Sequence, residues 1–403
     1  MNLPRLSLAY LKARPLNTAL NVILLALGVG TIALLLLTSH QLEERMGRDA
    51  RGIDLVAGAK GSPMQLILSA VFHIDAPTGN IPLAEAKKLA QNRAVKRAIP
   101  LALGDSFRGF RIAGTTHDYV AHYGGELAAG RLWQAPMEAV LGAETAKAAG
   151  LGVGGKFVGS HGFAEGGDEH GDYPYTVVGV LKPTGTVLDR LVLANVESVW
   201  FVHVHPGKHD DPKAVLAQLR EDEQEITALL IQYATPIAAA TLPRMINSTS
   251  VLQAASPAYE SARLFRMLGV GLEVLRAFAL VLVAAAGLSI FIALYNAMEE
   301  RRYDLAVMRM LGASPGKLMR LVLVEAVALA IAGAVIGLAL GHLLTEVVGG
   351  MLAAEQQPAV TGAAWLASEL WLVALAAGVG LVAGLVPAWR AYRTDIAATL
   401  AQN

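Results

Sequence analysis

The chain has 403 residues, 54% of them hydrophobic and 16% charged, with a mean hydropathy of +0.46, which points to a membrane protein that also carries a sizeable soluble domain. Its 33 Lys and Arg cancel its 33 Asp and Glu, so no basic excess exists to neutralise phosphates and nucleic acid is not an expected partner. There is no cysteine, which excludes disulfides, thiolate metal sites and thiol catalysis.

A bilayer core takes about 20 apolar residues in helical form. Residues 1–15 form a short segment carrying Arg5, Lys12 and Arg14, and the first span follows at residues 16–38, from Leu16 to Thr38. That run is longer than the ~7–15 apolar residues of a signal-peptide core. The residues after it, Ser39-His40-Gln41-Leu42-Glu43, offer no small-x-small cleavage site, so it reads as an uncleaved anchor.

Residues 39–270 read as a mixed α/β domain with a stalk. Gly52–Lys60, Tyr175–Leu181, Leu191–Ala194, Ser198–His205 and Glu225–Gln232 have strand character, while Leu83–Arg97 and Pro212–Leu219 carry apolar positions at helical spacing. The Gly-rich stretch Gly150–Gly171 is loop or hairpin material. Within Ser256–Arg276, an apolar stripe through Leu264, Leu268, Leu272 and Leu275 continues the next membrane helix outward.

Three more spans follow at residues 277–298, 321–345 and 370–389. Residues 299–320 form the connection between the second and third, residues 346–369 the loop before the fourth, and residues 390–403 the tail. The fold expected is four transmembrane α-helices, arranged 1+3, with a large α/β extracytoplasmic domain between the first and second. Arg301, Arg302, Arg309, Lys317 and Arg320 lie in the second connection, and Arg390 and Arg393 in the tail. Residues 343–369 contain no Lys or Arg. Positive charge collects on the cytoplasmic side, so both termini are expected there and residues 40–270 outside.

Catalytic patterns are missing. There is no G-x-S-x-G elbow and no H-E-x-x-H pair. Gly312–Lys317 (GASPGK) imitates a phosphate loop, but it is one residue short between glycines and Leu318 stands where Ser or Thr is required. No enzymatic activity, and no ATP hydrolysis by this chain itself, is expected.

The run Glu299-Glu300-Arg301-Arg302-Tyr303-Asp304-Leu305-Ala306-Val307-Met308-Arg309-Met310-Leu311-Gly312-Ala313-Ser314 resembles the E-R-R-x-E-[IL]-[AG]-x-[LM]-[RK]-x-[LM]-G-A segment of MacB/FtsX-like (type VII) ABC transporter permeases. That family includes lipoprotein-releasing and macrolide-export permeases. Glu325 matches an acidic position frequent in its third span, and Val386-Pro387-Ala388-Trp389-Arg390-Ala391 resembles its closing P-A-x-x-A. Two departures are mild: Asp304 stands where Glu is commoner, and Ile396 replaces a Pro in the tail.

The resemblance implies an FtsX-like permease domain over about residues 277–395 and a permease subunit in a bacterial inner membrane. It implies a cytoplasmic ABC ATPase as partner, with ATP and Mg bound there and no cofactor on this chain. It also implies a second permease subunit, giving a homodimer or heterodimer, and leaves room for a periplasmic accessory protein. Motion of the periplasmic domain would then export or extract a substrate at the outer face of the membrane. The alternative from a different class is a non-transporting membrane regulator or metal/ligand sensor.

On this reading Glu299, Glu300, Arg301, Arg302, Asp304, Leu305, Met308, Arg309, Leu311, Gly312 and Ala313 belong to the ATPase-coupling element. Leu305, Met308, Leu311 and Met319 would supply its apolar docking face, and Arg301, Arg302, Arg309 and Lys317 its polar rim. The residues alone equally describe an amphipathic helix on anionic lipid. Gly333, Gly337 and Gly341 fall on one face of the third span, and Gly380 and Gly384 repeat the spacing in the fourth. Such stripes let helix backbones approach closely, between subunits or within one. Glu325 reads as a structural carboxylate that snorkels or pairs with Arg320, and His342 as an interfacial residue.

Nine of the ten histidines lie in residues 40–209. His161, Glu165, Asp168 and His170 mix imidazole and carboxylate in one loop, a donor set for a weak zinc site or simply a polar surface. His203, His205 and His209 form a second group. On the expected strand, His203 and His205 share a face but lack a third ligand.

Overall fold

A computed structural model of the chain describes residues 3–162, 173–204, 211–354 and 360–393. The chain divides into two compact units. Residues 1–42, 268–354 and 358–403 make up the helical unit, and residues 43–267 with 355–357 the outer unit.

Proline, whose fixed φ suits a first helical turn, opens several of the helices. The chain begins with α1 (Leu3–Ala13) and α2 (Pro15–Asp49). The outer unit then runs β1 (Leu55–Ala59), α3 (Pro63–Ala70), β2 (Ile81–Pro82), α4 (Leu83–Ala90), β3 (Val95–Phe107) and β4 (Phe110–Thr115). Next come α5 (His117–His122), β5 (Leu127–Gly130), β6 (Glu138–Leu141), α6 (Ala143–Ala149), β7 (Lys156–Phe157), β8 (Ser160–His161) and β9 (Tyr175–Leu181). The unit continues with β10 (Leu191–Asn195), α7 (Val196–His203), α8 (Pro212–Leu216), β11 (Glu225–Ile226), β12 (Ala228–Tyr233), α9 (Ala238–Thr249) and β13 (Leu252–Ala255). Helix α10 (Pro257–Glu300) follows, then α11 (Arg302–Met310), α12 (Pro315–Ala354) and α13 (Glu369–Tyr392).

Most strands of the outer unit join one sheet, in the order β13-β1-β12-β3-β4-β10-β6-β9-β5, with β7 on β9 and β8 on β3. The pairs β4–β10 and β6–β9 are parallel. One core gathers Leu55, Leu229, Ile231, Leu242, Ile246 and Leu252; another gathers Phe107, Phe110, Phe157, Tyr175, Val192 and Phe201. In β9 buried and half-buried residues alternate, as expected of a strand with one face on the core.

Three sequence expectations are corrected here. Ser198–His205 does not form a strand: Val196–His203 is the helix α7. The Asn195 side chain accepts a hydrogen bond from the Ser198 N–H at 3.0 Å and so caps it. Leu83–Arg97 is not one helix. The Asn92 carbonyl accepts from Val95 N–H and its side chain from Ala94 N–H, turning the chain out of α4 into β3. Glu225–Gln232 breaks at buried Thr227, whose hydroxyl oxygen accepts from Leu103 N–H at 2.8 Å.

Helices α2, α10, α12 and α13 are long and apolar enough to cross a membrane. Leu264, Leu268, Leu272 and Leu275 all lie within α10. Inside the helical unit, Leu25, Val29, Ala279, Val283, Ala330, Ala334 and Ala376 form a core of mostly small residues. Small side chains suit packing in lipid, where contact comes from close backbones.

Candidate functional site

The connection between α10 and α12 is built around α11. Gly312 closes that helix with φ +93°, a left-handed conformation that glycine adopts without strain. Ala313 N–H then reaches back to the Met308 carbonyl at 3.0 Å, satisfying one of the last carbonyls of the helix.

This connection divides into a buried and an exposed set. Leu305 and Ala306 are buried, and Leu305 packs with Ala297, Met298, Leu318, Val322, Ala388 and Ala391. Met308, Ala313 and Met319 lean on the same cluster. By contrast Leu311 is 82% exposed, and Tyr303 and Met310 are exposed with it. Arg302, Asp304 and Gly312 are exposed as well, while Arg309 is half-buried. Of the apolar face expected at Leu305, Met308, Leu311 and Met319, Leu305 is buried and Met308 and Met319 are half-buried against the bundle, while Leu311 is exposed. The buried and half-buried residues hold α11 onto the bundle, and Tyr303, Met310 and Leu311 are what it presents outward.

Arg301 is no rim residue: its side chain is 8% exposed and its Nη1 donates to both oxygens of Glu325, at 3.1 and 3.3 Å. The guanidinium also lies over the Tyr10 ring, 3.8 Å from its centroid. Glu325 therefore pairs with Arg301, not with Arg320. Nearby, Glu299 meets Arg390 at 3.1 Å and Arg302 at 3.7 Å, and Glu300 pairs with Arg14. The segment's first three charged residues thus tie α1, Arg14 at the joint before α2, α12 and α13 to the end of α10.

The glycine stripes are filled by the chain's own helices. A Cβ at Gly333 would meet Leu25, one at Gly337 the Ala26 carbonyl and Val29, and one at Gly341 Ala33. At Gly380 and Gly384 it would meet Ala330 and Ala326. His342 is tied down by Glu369 at 2.9 Å and the Gly362 carbonyl at 2.6 Å.

In the outer unit, Glu165, Asp168 and His170 lie outside the described residues, as do His205 and His209. His161 is described, and it meets two residues far away in the chain. Its Nδ1 is 3.1 Å from Asp105 Oδ1, and His203 Nε2 is 3.8 Å from the same oxygen. Sequence reading missed Asp105 because it sits inside β3, a strand partly read as helix. Near it, burial pushes the Tyr175 phenol well above its usual range, and the Asp105 charge adds to that shift.

Sequence models of two families match the chain: FtsX-like permease C-terminal over residues 276–396, and MacB-like periplasmic core domain over residues 18–266. Among solved structures, the chain is similar to the periplasmic region of MacB from Actinobacillus actinomycetemcomitans. The two are 14% identical with a TM-score of 0.34, over 54% of this chain and 95% of that one. It is also similar to the extracellular domain of the noncanonic ABC-type transporter YknZ from Gram-positive bacteria. There the identity is 12% and the TM-score 0.30, over 50% of this chain and 99% of that one. No curated protein matches the sequence.

Proposed function

This chain belongs to the MacB/FtsX-like family of ABC transporter permeases, and from that premise we propose that it passes force from a separate cytoplasmic ATPase to its outer domain. The observation that carries the reading is the division of α11. Leu305 and Ala306 fasten it to the membrane helices, and Tyr303, Met310 and Leu311 stand exposed. A coupling element needs both: a grip on the bundle and an apolar surface for a partner. Glu299, Glu300 and Arg301 add to the grip through their ion pairs.

The Lys and Arg distribution supports cytoplasmic termini and a cytoplasmic α11, with the outer domain on the far side of an inner membrane. A second permease subunit is the proposed partner within the membrane. Met267, Val270, Val274 and Phe278 of α10 are exposed apolar residues at and just outside the span, and suit such a partner. ATP-driven closure of paired ATPases would bring the subunits together and move the outer domains, exporting or extracting a substrate at the outer face.

The test is coexpression of the tagged full chain with the cytoplasmic ABC ATPases of its own organism. One ATPase should copurify, and its turnover should respond to the permease in nanodiscs. Reporter fusions after Pro100 and Gln357 should read extracytoplasmic, and one after Pro315 cytoplasmic. Failure of every ATPase to bind and respond, or a cytoplasmic signal at Pro100, overturns the proposal.

A further inference from the structure

Asp105, His161 and His203 come from three separate elements of the outer unit, and their ligand atoms all lie within 4.8 Å of one another. We propose that these three side chains form a binding site for a divalent metal ion of the zinc class, independent of the permease function.

The backbone places them deliberately close. Strand β8 pairs antiparallel with β3, with Asp105 opposite His161 and Ser106 opposite Ser160. Residues directly opposite in an antiparallel pair project to the same face. The pairing is reinforced on both sides of the site. Ser106 Oγ donates to the Gly162 carbonyl at 2.7 Å, and Gly162 N–H to the Gly104 carbonyl at 3.0 Å. His203 enters from the last turn of α7. Its ring lies against β3, where a Cβ at Gly104 would be in ordinary contact with His203 Nε2 at 3.8 Å.

The chemistry of His203 favours a cation. Its Nδ1 lies 2.7 Å from the Val199 carbonyl, a contact that needs the ring proton on Nδ1. In the neutral ring this leaves the Nε2 lone pair aimed toward the Asp105 carboxylate. Fixing the tautomer of a ligating imidazole through a backbone carbonyl is what an outer-shell contact does at metal sites. A zinc ion with bonds of about 2.1 Å in tetrahedral geometry spaces its ligands about 3.4 Å apart. The observed 3.1 and 3.8 Å from Asp105 Oδ1 lie on either side of that spacing. The Asp105 side chain is 1% exposed, whereas those of His161 and His203 are 41% and 38% exposed. The carboxylate is thus the buried anchor of the cluster, and the two imidazoles are its partly exposed members. Two imidazoles and a carboxylate suit zinc-class dications, and a chain without thiols offers no softer site.

The experiment uses the full-length protein in detergent, purified without a polyhistidine tag, stripped with chelator and titrated with zinc alone. The wild type should take up about one equivalent at micromolar zinc and gain thermal stability. His161→Ala and His203→Ala should each weaken binding by about tenfold or more. Bound Co2+ should give a visible d–d band that His203→Ala abolishes. Because Asp105 is buried, Asp105→Asn could fail to fold, but His161 is half-exposed and its alanine variant keeps the test clean. His117→Ala, whose ring meets the Trp133 carbonyl instead, should leave binding unchanged. No saturable uptake by the folded wild type, or uptake indifferent to both His161 and His203, overturns the site.

Discussion

Arg301 and Glu325 form a buried ion pair between the end of α10 and the body of α12, with side chains 8% and 4% exposed. The pair, capped by the Tyr10 ring, locks α1 to the same point. Removing one partner strands the other charge in a low-dielectric interior, which costs about 3–5 kcal/mol. Arg301→Met should therefore lower the thermal unfolding temperature of the detergent-solubilised chain markedly. Arg302→Ala, whose partner Glu299 is 54% exposed, should change it little. Equal melting of both variants would show that Arg301 has no such structural role.

What the sequence revealed and what it hid separate along physical lines. Membrane spans are legible because about 20 apolar residues in a row have few other uses. The alternation of Tyr175–Leu181 is legible for a similar reason: one face is buried and the other is not. Ser198–His205 misled because its residues fit two periods. Val199, Phe201 and His203 alternate as in a strand, while Val196, Val199 and Val202 recur at helical spacing; all of these but His203 are buried. Only the cap at Asn195 favoured the helix. In α11, amphipathic spacing revealed a face but not which side would meet the bundle. The Asp105–His161–His203 cluster leaves no motif at all, since its members are brought together by strand pairing and a helix end.

Packing between α2 and α12 gives a second prediction. A Cβ at Gly337 would lie 2.8 Å from the Ala26 carbonyl and 2.9 Å from Val29 Cβ, with no flexible side-chain tip to yield. Gly337→Leu should push the helices apart and destabilise the chain by about 1–3 kcal/mol or more. Gly378→Leu on α13, where a Cβ meets nothing within 4 Å, is the matched control. Thermal melts in detergent decide it, and an unperturbed Gly337→Leu protein would refute close packing at this crossing.

His73 predicts an acid-sensitive outer domain. Its ring nitrogen lies 3.0 Å from the Tyr119 hydroxyl, and Arg111 Nε donates to its carbonyl at 2.7 Å. Burial holds its pKa down to about 3, with Arg111 and Arg190 adding to the shift. The unfolded chain protonates this ring near the model-peptide value of about 6.5. His73's contribution is therefore complete above that pH and is lost as pH falls toward 3. Asp49 acts oppositely. Burial raises it to about 6, so its contribution is complete below the ordinary carboxylate range and is lost as pH rises through 6. Between pH 6.5 and 5 the His73 loss amounts to about 2 kcal/mol, partly offset by Asp49. His73→Gln should be less stable at pH 7 yet lose less on acidification. Parallel stability–pH profiles for the two proteins would refute this.

The coupling proposal makes its sharpest demand on two neighbouring positions that the sequence treats alike. Leu311 is 82% exposed, whereas Met308 leans on the cluster of Leu305, Leu318 and Val322. An aspartate at Leu311 should leave insertion and melting unchanged, because the side chain touches little of its own protein. It should nonetheless release the ATPase or abolish its response, since a buried interfacial anchor typically contributes about 2 kcal/mol or more. An aspartate at Met308 should damage both, as the charge would be forced against an apolar cluster. Melting temperature and ATPase copurification, measured on the same preparations, separate the two effects. If Leu311→Asp binds and stimulates the ATPase like the wild type, the exposed face of α11 is not the docking surface.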